Sequence, residues 1–189
     1  MFNTFKTSTK KLKSTRSLAI LALLIAIKVV ISSLYIPVGD NLRVYFSFFI
    51  SVLQAAMFGP TVAFLFGIVS DLVGFIFFPS GPFFIGYTLT PAISGLIYAL
   101  FLYNKEITVL KLGISKFLVN MIVNVGLGSL WSSILYSNVY MYYFAKSLVK
   151  NIVLLPIEII TLVIVFNLLL PYLIKQGFIK DNPVPIKLF

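Results

Sequence analysis

The sequence contains neither cysteine nor histidine, and only five of its 189 residues are acidic. Without cysteine there is no disulfide or thiolate nucleophile, and without histidine there is no Ser/His/Asp triad, haem histidine or zinc-finger set. No G-x-x-x-x-G-K-[ST] run is present, so the chain has no P-loop for ATP. The five acids are too scattered for a metal-dependent active site. We therefore expect no enzyme activity, no metal and no cofactor.

Apolar and basic residues are abundant instead. Hydrophobic residues make up 60% of the chain, against about 45–50% in soluble domains, and the mean hydropathy is +1.05. The net charge is +10, although charged residues are only 11% of the sequence, so the basic charge is confined to few places. This pattern is typical of an all-α integral membrane protein rather than of a nucleic-acid-binding protein.

Six apolar stretches have lengths that suit membrane spans, since a helix needs roughly 20 apolar residues to cross a bilayer. They cover about residues 17–36, 43–58, 61–78, 84–103, 111–135 and 142–174. Gly59-Pro60 separates the second stretch from the third and predicts a tight antiparallel connection. We expect a compact six-helix bundle over 17–174, a basic N-terminal segment over 1–16 and a C-terminal tail over 175–189.

The distribution of basic residues predicts the orientation. Eleven of the fifteen flank one side of the predicted bundle: Lys6, Lys10, Lys11, Lys13, Arg16, Lys105, Lys111, Lys116, Lys175, Lys180 and Lys187. Three flank the other side, and Lys28 falls within the first span. Both termini are therefore predicted to be cytoplasmic. We expect the first span to be retained rather than cleaved as a signal peptide, because Lys28 interrupts it and no A-x-A-like site follows.

Three ionisable residues are predicted to lie at mid-membrane depth, where each costs about 2.5–3.5 kcal/mol without a partner. They are Lys28, Asp71 and Glu158. Lys28 lies eight residues before Ile36 and Asp71 eight residues before Pro79, at the outer ends of their spans, which places both roughly 12 Å below the same boundary. A structural Lys28–Asp71 ion pair is the simpler interpretation, and a direct role in ligand binding is the alternative.

The three basic residues on the outer side oppose the general charge bias. Lys146 and Lys150 are one helical turn apart, and Arg43 opens the second predicted span on the same side. Together they predict a site for an anion. The alternative is that each side chain extends to lipid phosphates at the interface.

Polar and aromatic residues recur at helical spacing in the last three predicted spans. The stripes are Tyr87, Pro91, Ser94 and Tyr98; Asn120, Asn124, Leu127 and Trp131; and Ser147, Asn151, Leu154 and Glu158. Such stripes either hold helices together through hydrogen bonds or line a cavity. The nearby aromatic and glycine-containing stretch over 77–84 has the composition of a lid. With the outer cations, the stripes favour a cavity for a planar heterocycle that carries carboxylates.

The first span also carries small residues on one flank. Ala22 and Ala26 form a small-xxx-small motif, with Ala19 one turn earlier, which permits the close approach of another helix. Packing within the chain and contact with a partner both remain open at this point.

Taken together, these features resemble a known family. Six spans with cytoplasmic ends, Ala22-xxx-Ala26, Gly59-Pro60, Asp71 after Gly67 and the stretch N-L-R-V-Y-F-S-F over 41–48 are similar to the S components of energy-coupling-factor vitamin transporters. The resemblance covers about residues 14–175 and is to the folate-specific subunit in particular. It implies a substrate-binding protein of a prokaryotic cell membrane that joins a transmembrane coupling (T) subunit and two cytoplasmic ATPases.

The resemblance also implies roles for individual residues. Ala22 and Ala26 would meet the coupling subunit, and the protein would topple within the membrane to carry its ligand across. The folate carboxylates would meet some of the three outer cations, Arg43, Lys146 and Lys150. The pterin would stack on Phe83, Tyr87 or Trp131, and the amides of Asn120, Asn124 and Asn151 would read its edge. Another vitamin, a stand-alone proton-coupled secondary transporter that uses Asp71 or Glu158, and a structural subunit without a ligand remain alternatives.

Overall fold

The computed structural model describes residues 2–37, 43–79, 81–136 and 139–189. The chain forms two compact units, Met1–Leu100 and Phe101–Phe189. Both are mainly helical, as expected for an all-α membrane protein. Within the described ranges, five helices are long and apolar enough to cross a membrane: Thr15–Ser33, Pro60–Phe77, Ile85–Leu102, Val109–Tyr136 and Tyr140–Lys175.

The first unit contains the N-terminal half of the helices. Its elements are α1 (Phe2–Lys11), α2 (Thr15–Ser33), β1 (Tyr35–Pro37), β2 (Arg43–Tyr45), α3 (Phe48–Phe58), α4 (Pro60–Phe77) and α5 (Ile85–Leu102), whose last two residues belong to the second unit. Ser14 caps α2 by accepting the amide N–H of Ser17. The predicted N-terminal segment over 1–16 is therefore itself largely helical and ends at a capped helix start.

The second predicted span, 43–58, differs from a membrane-crossing helix. Its first residues form β2, which pairs antiparallel with β1 so that Tyr35 faces Tyr45. The helical part, α3, has 11 residues and so a length of about 16 Å, whereas a bilayer core is about 30 Å thick. β-branched and aromatic residues at the start of this stretch suit a strand as well as a span. The six-helix count consequently stays a prediction.

The connection between α3 and α4 is as tight as the sequence predicts. Only Gly59 separates the two helices, and its φ of 86° is a conformation that glycine adopts without steric cost. Pro60 occupies the first position of α4, where a missing N–H is harmless.

Helix α1 is attached to this connection by polar contacts. The buried Ser8 hydroxyl donates to the Phe58 carbonyl at 2.8 Å and accepts the Val62 N–H at 3.1 Å. The Lys11 ammonium donates to the Met57 carbonyl and lies 5.7 Å from the centre of the Phe58 ring. Burial lowers the pKa of Lys11. These contacts satisfy backbone groups that the ends of α3 and α4 leave without helical partners.

Helices α4 and α5 approach each other at glycine positions. A Cβ added at Gly67 would lie 2.5 Å from backbone atoms of Ala92, and one at Gly95 would lie 2.6 Å from the Ala63 carbonyl oxygen. Only glycine allows this backbone contact, which is the kind of close helix packing that small residues provide in membranes.

The second unit is built around two long helical stretches. The first comprises α6 (Val109–Leu118), a π-helical segment (Val119–Leu127) and α7 (Gly128–Tyr136), and the second is α8 (Tyr140–Lys175). The C-terminal tail packs on the start of α6, where the amides of Val109 and Leu110 donate to the carbonyls of Lys187 and Leu188. The tail thus completes the helix start rather than remaining separate from the bundle.

Candidate functional site

The main polar cluster of the second unit joins the π-helical segment to α8. Asn124 donates to the side-chain oxygens of Asn120 at 2.9 Å and Asn151 at 3.3 Å. Asn151 donates to the Ser147 carbonyl at 2.8 Å, and the Ser147 hydroxyl donates to the Asn124 carbonyl at 3.2 Å. Asn120, Asn151 and Ser147 are buried. The two stripes expected from helical spacing therefore face each other within one unit.

An ion pair extends this cluster towards α6. The Lys116 ammonium lies 3.0 Å from Glu158 Oε1, and Asn120 donates to Glu158 Oε2 at 2.7 Å. Lys116 is only 2% exposed and Glu158 is 13% exposed. A buried carboxylate and a buried ammonium each need such a partner, because an uncompensated charge is costly to remove from water.

Lys116 is the residue that the sequence interpretation misplaced. We expected it in the basic connection after the fourth span, but it is buried and serves as the partner of Glu158. Its position, one helical turn before Asn120, continues the Asn120 and Asn124 stripe. In the sequence, two features indicate the Lys116–Glu158 pair. Glu158 is an isolated acid in the middle of its span, and Lys116 has the helical spacing of the Asn120 and Asn124 stripe.

The wider helical geometry of the cluster is unusual. Asn120 and Asn124 both lie in the π-helical segment, which runs for nine residues. π-Helical turns are rare and occur often at functional sites. Nothing in the helical spacing of the sequence predicts this segment, because the same residues fit an ordinary α-helical stripe.

The two predicted lysines of α8 have different surroundings. Lys150 is partly buried, and it is close enough to Glu158 to be attracted and to Lys116 to be repelled. Lys146 donates to the Tyr142 hydroxyl at 2.5 Å and lies 4.4 Å from the centre of the same ring. Lys150 therefore belongs electrostatically to the buried cluster, whereas the described contact of Lys146 is with Tyr142.

Trp131 lies on α7, partly buried, and extends the same helical stretch beyond the π-helical segment. Two residues earlier, the hydroxyl of Ser129 is buried and has no hydrogen-bond partner among the described residues. Ser129 is a further polar group of this region that the sequence interpretation did not single out.

The other predicted ligand residues lie in the first unit. The backbone of Arg43 pairs with Pro37 in the β-ribbon, but its side chain and residues 38–42 lie outside the described part of the chain. Phe83 is 51% exposed, and its ring packs on Phe75 with a centroid distance of 5.2 Å. Tyr87, at the start of α5, packs edge-on against Phe84. Their predicted roles at a shared site stay predictions.

The predicted Lys28–Asp71 ion pair takes a different form. Lys28 is buried on α2, and its ammonium donates to the Ser70 hydroxyl at 2.8 Å and lies 5.2 Å from the centre of the Phe66 ring. Within the part of the chain that the structure describes, no ion-pair contact joins Lys28 to Asp71. Asp71 still attracts the ammonium electrostatically. A hydroxyl one residue before Asp71 is thus the direct partner of the lysine.

The small-residue flank of α2 is open. Ala22 and Ala26 are exposed, as is Ala19, and the neighbouring Leu23 is 60% exposed. The buried residues of this helix, which include Leu21, Leu24 and Lys28, lie on its other side. Packing inside the first unit therefore does not account for the alanine motif.

A family model covers most of the chain. The model described as the ECF-type riboflavin transporter, S component, matches residues 12–175.

Two relatives and one solved structure that resemble this chain are folate transporters named FolT. The folate transporter FolT of Leuconostoc mesenteroides is 32% identical over 166 residues, which cover 84% of this chain and 89% of the relative. FolT of Clostridium novyi is 29% identical over 151 residues, covering 80% and 88%. A crystal structure of FolT bound with folic acid superposes with a TM-score of 0.71 at 32% identity, covering 78% of this chain and 89% of that one.

Proposed function

The chain belongs to the family of energy-coupling-factor transporter S components, and from this premise we propose that it binds folate and carries it across the cell membrane. The observation that carries the proposal is the likeness to FolT, together with a buried polar cluster in membrane-length helices. The protein itself performs no chemistry on the ligand.

The charge of the cluster suits an acidic ligand. Lys116 and Lys150 contribute two ammoniums and Glu158 one carboxylate, so these three groups carry a formal charge of +1. A ligand carboxylate near Lys150 balances that charge, and such charge-assisted hydrogen bonds are the strong ones in proteins. Folate carries two carboxylates on its glutamate portion and meets this requirement.

The amides of the cluster provide the second part of the recognition. Side-chain amides offer both donors and acceptors, as does the edge of a pterin ring. We propose that Asn120, Asn124 and Asn151 exchange part of their mutual hydrogen bonding for the pterin edge, and that Trp131 provides a stacking surface. The roles of Arg43, Phe83 and Tyr87 stay predictions from the sequence.

Coupling to ATP hydrolysis is proposed to come from partner proteins. The exposed Ala22 and Ala26 form a surface against which a helix of the T subunit can pack closely. The T subunit connects in turn to two cytoplasmic ATPases, and the S component topples within the membrane to deliver folate. Tryptophan at both alanines is expected to abolish co-purification with the T subunit, whereas Ile27→Trp, on a neighbouring exposed face, is expected to retain it.

Direct binding measurements test the identity of the ligand. Purified wild-type protein in detergent is expected to bind folate and to show no saturable binding of riboflavin, the vitamin named in the family description. Lys150→Ala is expected to weaken folate binding about ten- to hundredfold, the range for a lost charge-assisted hydrogen bond. Lys180→Ala removes the same charge from the exposed tail and serves as the control. Equal affinity in the two variants, or saturable binding of riboflavin alone, contradicts the proposal.

Two alternatives remain open to the same kind of test. The first is an S component for another vitamin, which a competition series of vitamins against folate identifies. The second is a stand-alone proton-coupled transporter, which the carboxylate of Glu158 within a span favours. Uptake by this chain alone in liposomes under a pH gradient, without ATPases, supports that second alternative and opposes the S-component proposal.

A further inference from the structure

Helix α1 presents a row of lysines away from its attachment to the α3–α4 connection. Lys6 and Lys10 are exposed and one helical turn apart, and the exposed Lys13 follows directly after the helix. Like charges at this spacing destabilise a helix. The first carboxylate in the sequence is Asp40, so the first 39 residues contain no acidic side chain to balance these charges. An anion supplied from outside the chain relieves the repulsion.

An apolar groove lies against α1 at Phe5, the residue before Lys6. Its volume is about 280 Å³, and it is lined by Phe5, Pro60, Thr61, Phe64, Leu65 and Leu96. All six residues belong to the first unit, and the lining atoms are almost entirely apolar. Leu65 is 42% exposed, so the groove opens outward. Phe5, which forms one wall, directly precedes Lys6 in α1.

The position of the groove along α4 matches the depth profile of a bilayer. Pro60 and Thr61 are the first residues of a membrane-length helix, whereas Phe64 and Leu65 lie one turn further along it. The lysines are therefore expected at headgroup level, and the groove leads from there towards the hydrocarbon core. Cations at the surface beside an apolar groove match the two ends of an anionic lipid.

We propose that this place is a binding site for an anionic phospholipid, with its phosphate headgroup on Lys6, Lys10 and Lys13 and one acyl chain in the groove. A zwitterionic lipid lacks the net charge that the lysines select. A free phosphate lacks the chain that the groove accommodates. The proposal is independent of the vitamin that the protein binds.

The test measures lipid retention by native mass spectrometry. Purified full-length protein is incubated with equal amounts of phosphatidylglycerol and phosphatidylcholine, and the lipids that stay bound are counted. Wild type is expected to retain phosphatidylglycerol in preference. The triple variant Lys6→Gln, Lys10→Gln, Lys13→Gln is expected to lose that preference, by about fivefold for each lysine, which corresponds to about 1 kcal/mol.

Two matched controls separate this site from general effects. The triple variant Lys105→Gln, Lys180→Gln, Lys187→Gln has the same change in net charge and is expected to retain the preference. Leu65→Trp, which fills the groove, is expected to reduce phosphatidylglycerol retention, whereas Leu72→Trp on the same helix is not. Circular dichroism verifies that each variant is folded, and both tryptophan substitutions are at exposed positions.

Several outcomes overturn the proposal. Equal retention of the two lipids by wild type shows that the lysines do not select an anionic headgroup. Equal losses in the two triple variants show that only net charge matters. If Leu65→Trp leaves phosphatidylglycerol retention unchanged, the groove does not bind the acyl chain. If inorganic phosphate alone displaces the lipid, only the headgroup is bound.

Discussion

Replacement of Glu158 by glutamine removes one charge from the buried ion pair and little else. Glutamine has nearly the same shape, and its side-chain oxygen still accepts from Asn120, which now donates to Glu158 at 2.7 Å. Lys116, 3.0 Å away and 2% exposed, loses its counter-charge. Breaking a buried pair costs about 3–5 kcal/mol, more than the roughly 0.5–1.5 kcal/mol of a neutral hydrogen bond. The lost charge therefore dominates the effect.

The assay is thermal unfolding in detergent, followed by the fluorescence of Trp131, the single tryptophan. Each 1 kcal/mol shifts the melting temperature of a chain of this size by about 2–4 °C, so Glu158→Gln is expected to lower it by about 6–20 °C. Replacing both partners, Lys116→Met with Glu158→Leu, removes both charges of the pair and is expected to recover most of that loss.

An exposed pair provides the control. Glu106 lies 3.9 Å from Lys187, and both side chains are well exposed, so Glu106→Gln is expected to cost at most about 1 kcal/mol. The reasoning is refuted if Glu158→Gln has the same melting temperature as wild type, or if the double variant is no more stable than Glu158→Gln alone. A loss of folate binding in Glu158→Gln at temperatures where it is folded also contradicts the account, since the cluster then becomes more positive.

Two further predictions concern the first unit. Gly67→Ala places a methyl group against the backbone of Ala92 and is expected to destabilise the protein by about 1–3 kcal/mol or more. Gly74→Ala, whose nearest neighbour lies at 3.9 Å, is the control and is expected to be tolerated. Equal melting temperatures of the two variants contradict the close packing of α4 and α5. Ser8→Ala leaves two buried backbone groups without their partner and is expected to lower the free energy of unfolding by about 1–3 kcal/mol. Thr9→Ala removes an exposed hydroxyl that bonds within α1 and serves as the control. Similar protease sensitivity of α1 in both variants contradicts the attachment of α1 to the α3–α4 connection through Ser8.

Long apolar runs bounded by strong breakers were the most predictable part of the fold. The predicted span over 61–78 corresponds to Pro60–Phe77, and that over 84–103 to Ile85–Leu102. Prolines or glycines lie next to three of these four ends, where they interrupt helical hydrogen bonding or preset the backbone. The fourth, the end of α5 at Leu102, is followed by Asn104, whose φ is 57°. The stretch 43–58 also follows a turn signal, at Pro37 and Gly39, but apolar composition alone does not separate a short strand from a helical turn.

The polar cluster was predictable in its residues but not in its connections. Helical spacing put Asn120 and Asn124 on one face and Asn151 and Glu158 on another. It did not indicate that these faces meet, because pairing between helices depends on packing distant in sequence. Lys116 was missed since a lysine near a predicted helix end is normally exposed, and only its buried partner explains its place in the structure.

The most direct test of the central claim is the identity of the small molecule that co-purifies with the overexpressed protein. The protein is purified in detergent and denatured, and the released molecule is identified by mass and absorbance. The account predicts a folate compound, close to one per chain, and a marked reduction of it in Lys150→Ala but not in Lys180→Ala. Release of a flavin in its place, or equal amounts of folate from the two variants, contradicts the claim that this buried cationic cluster recognises an acidic pterin.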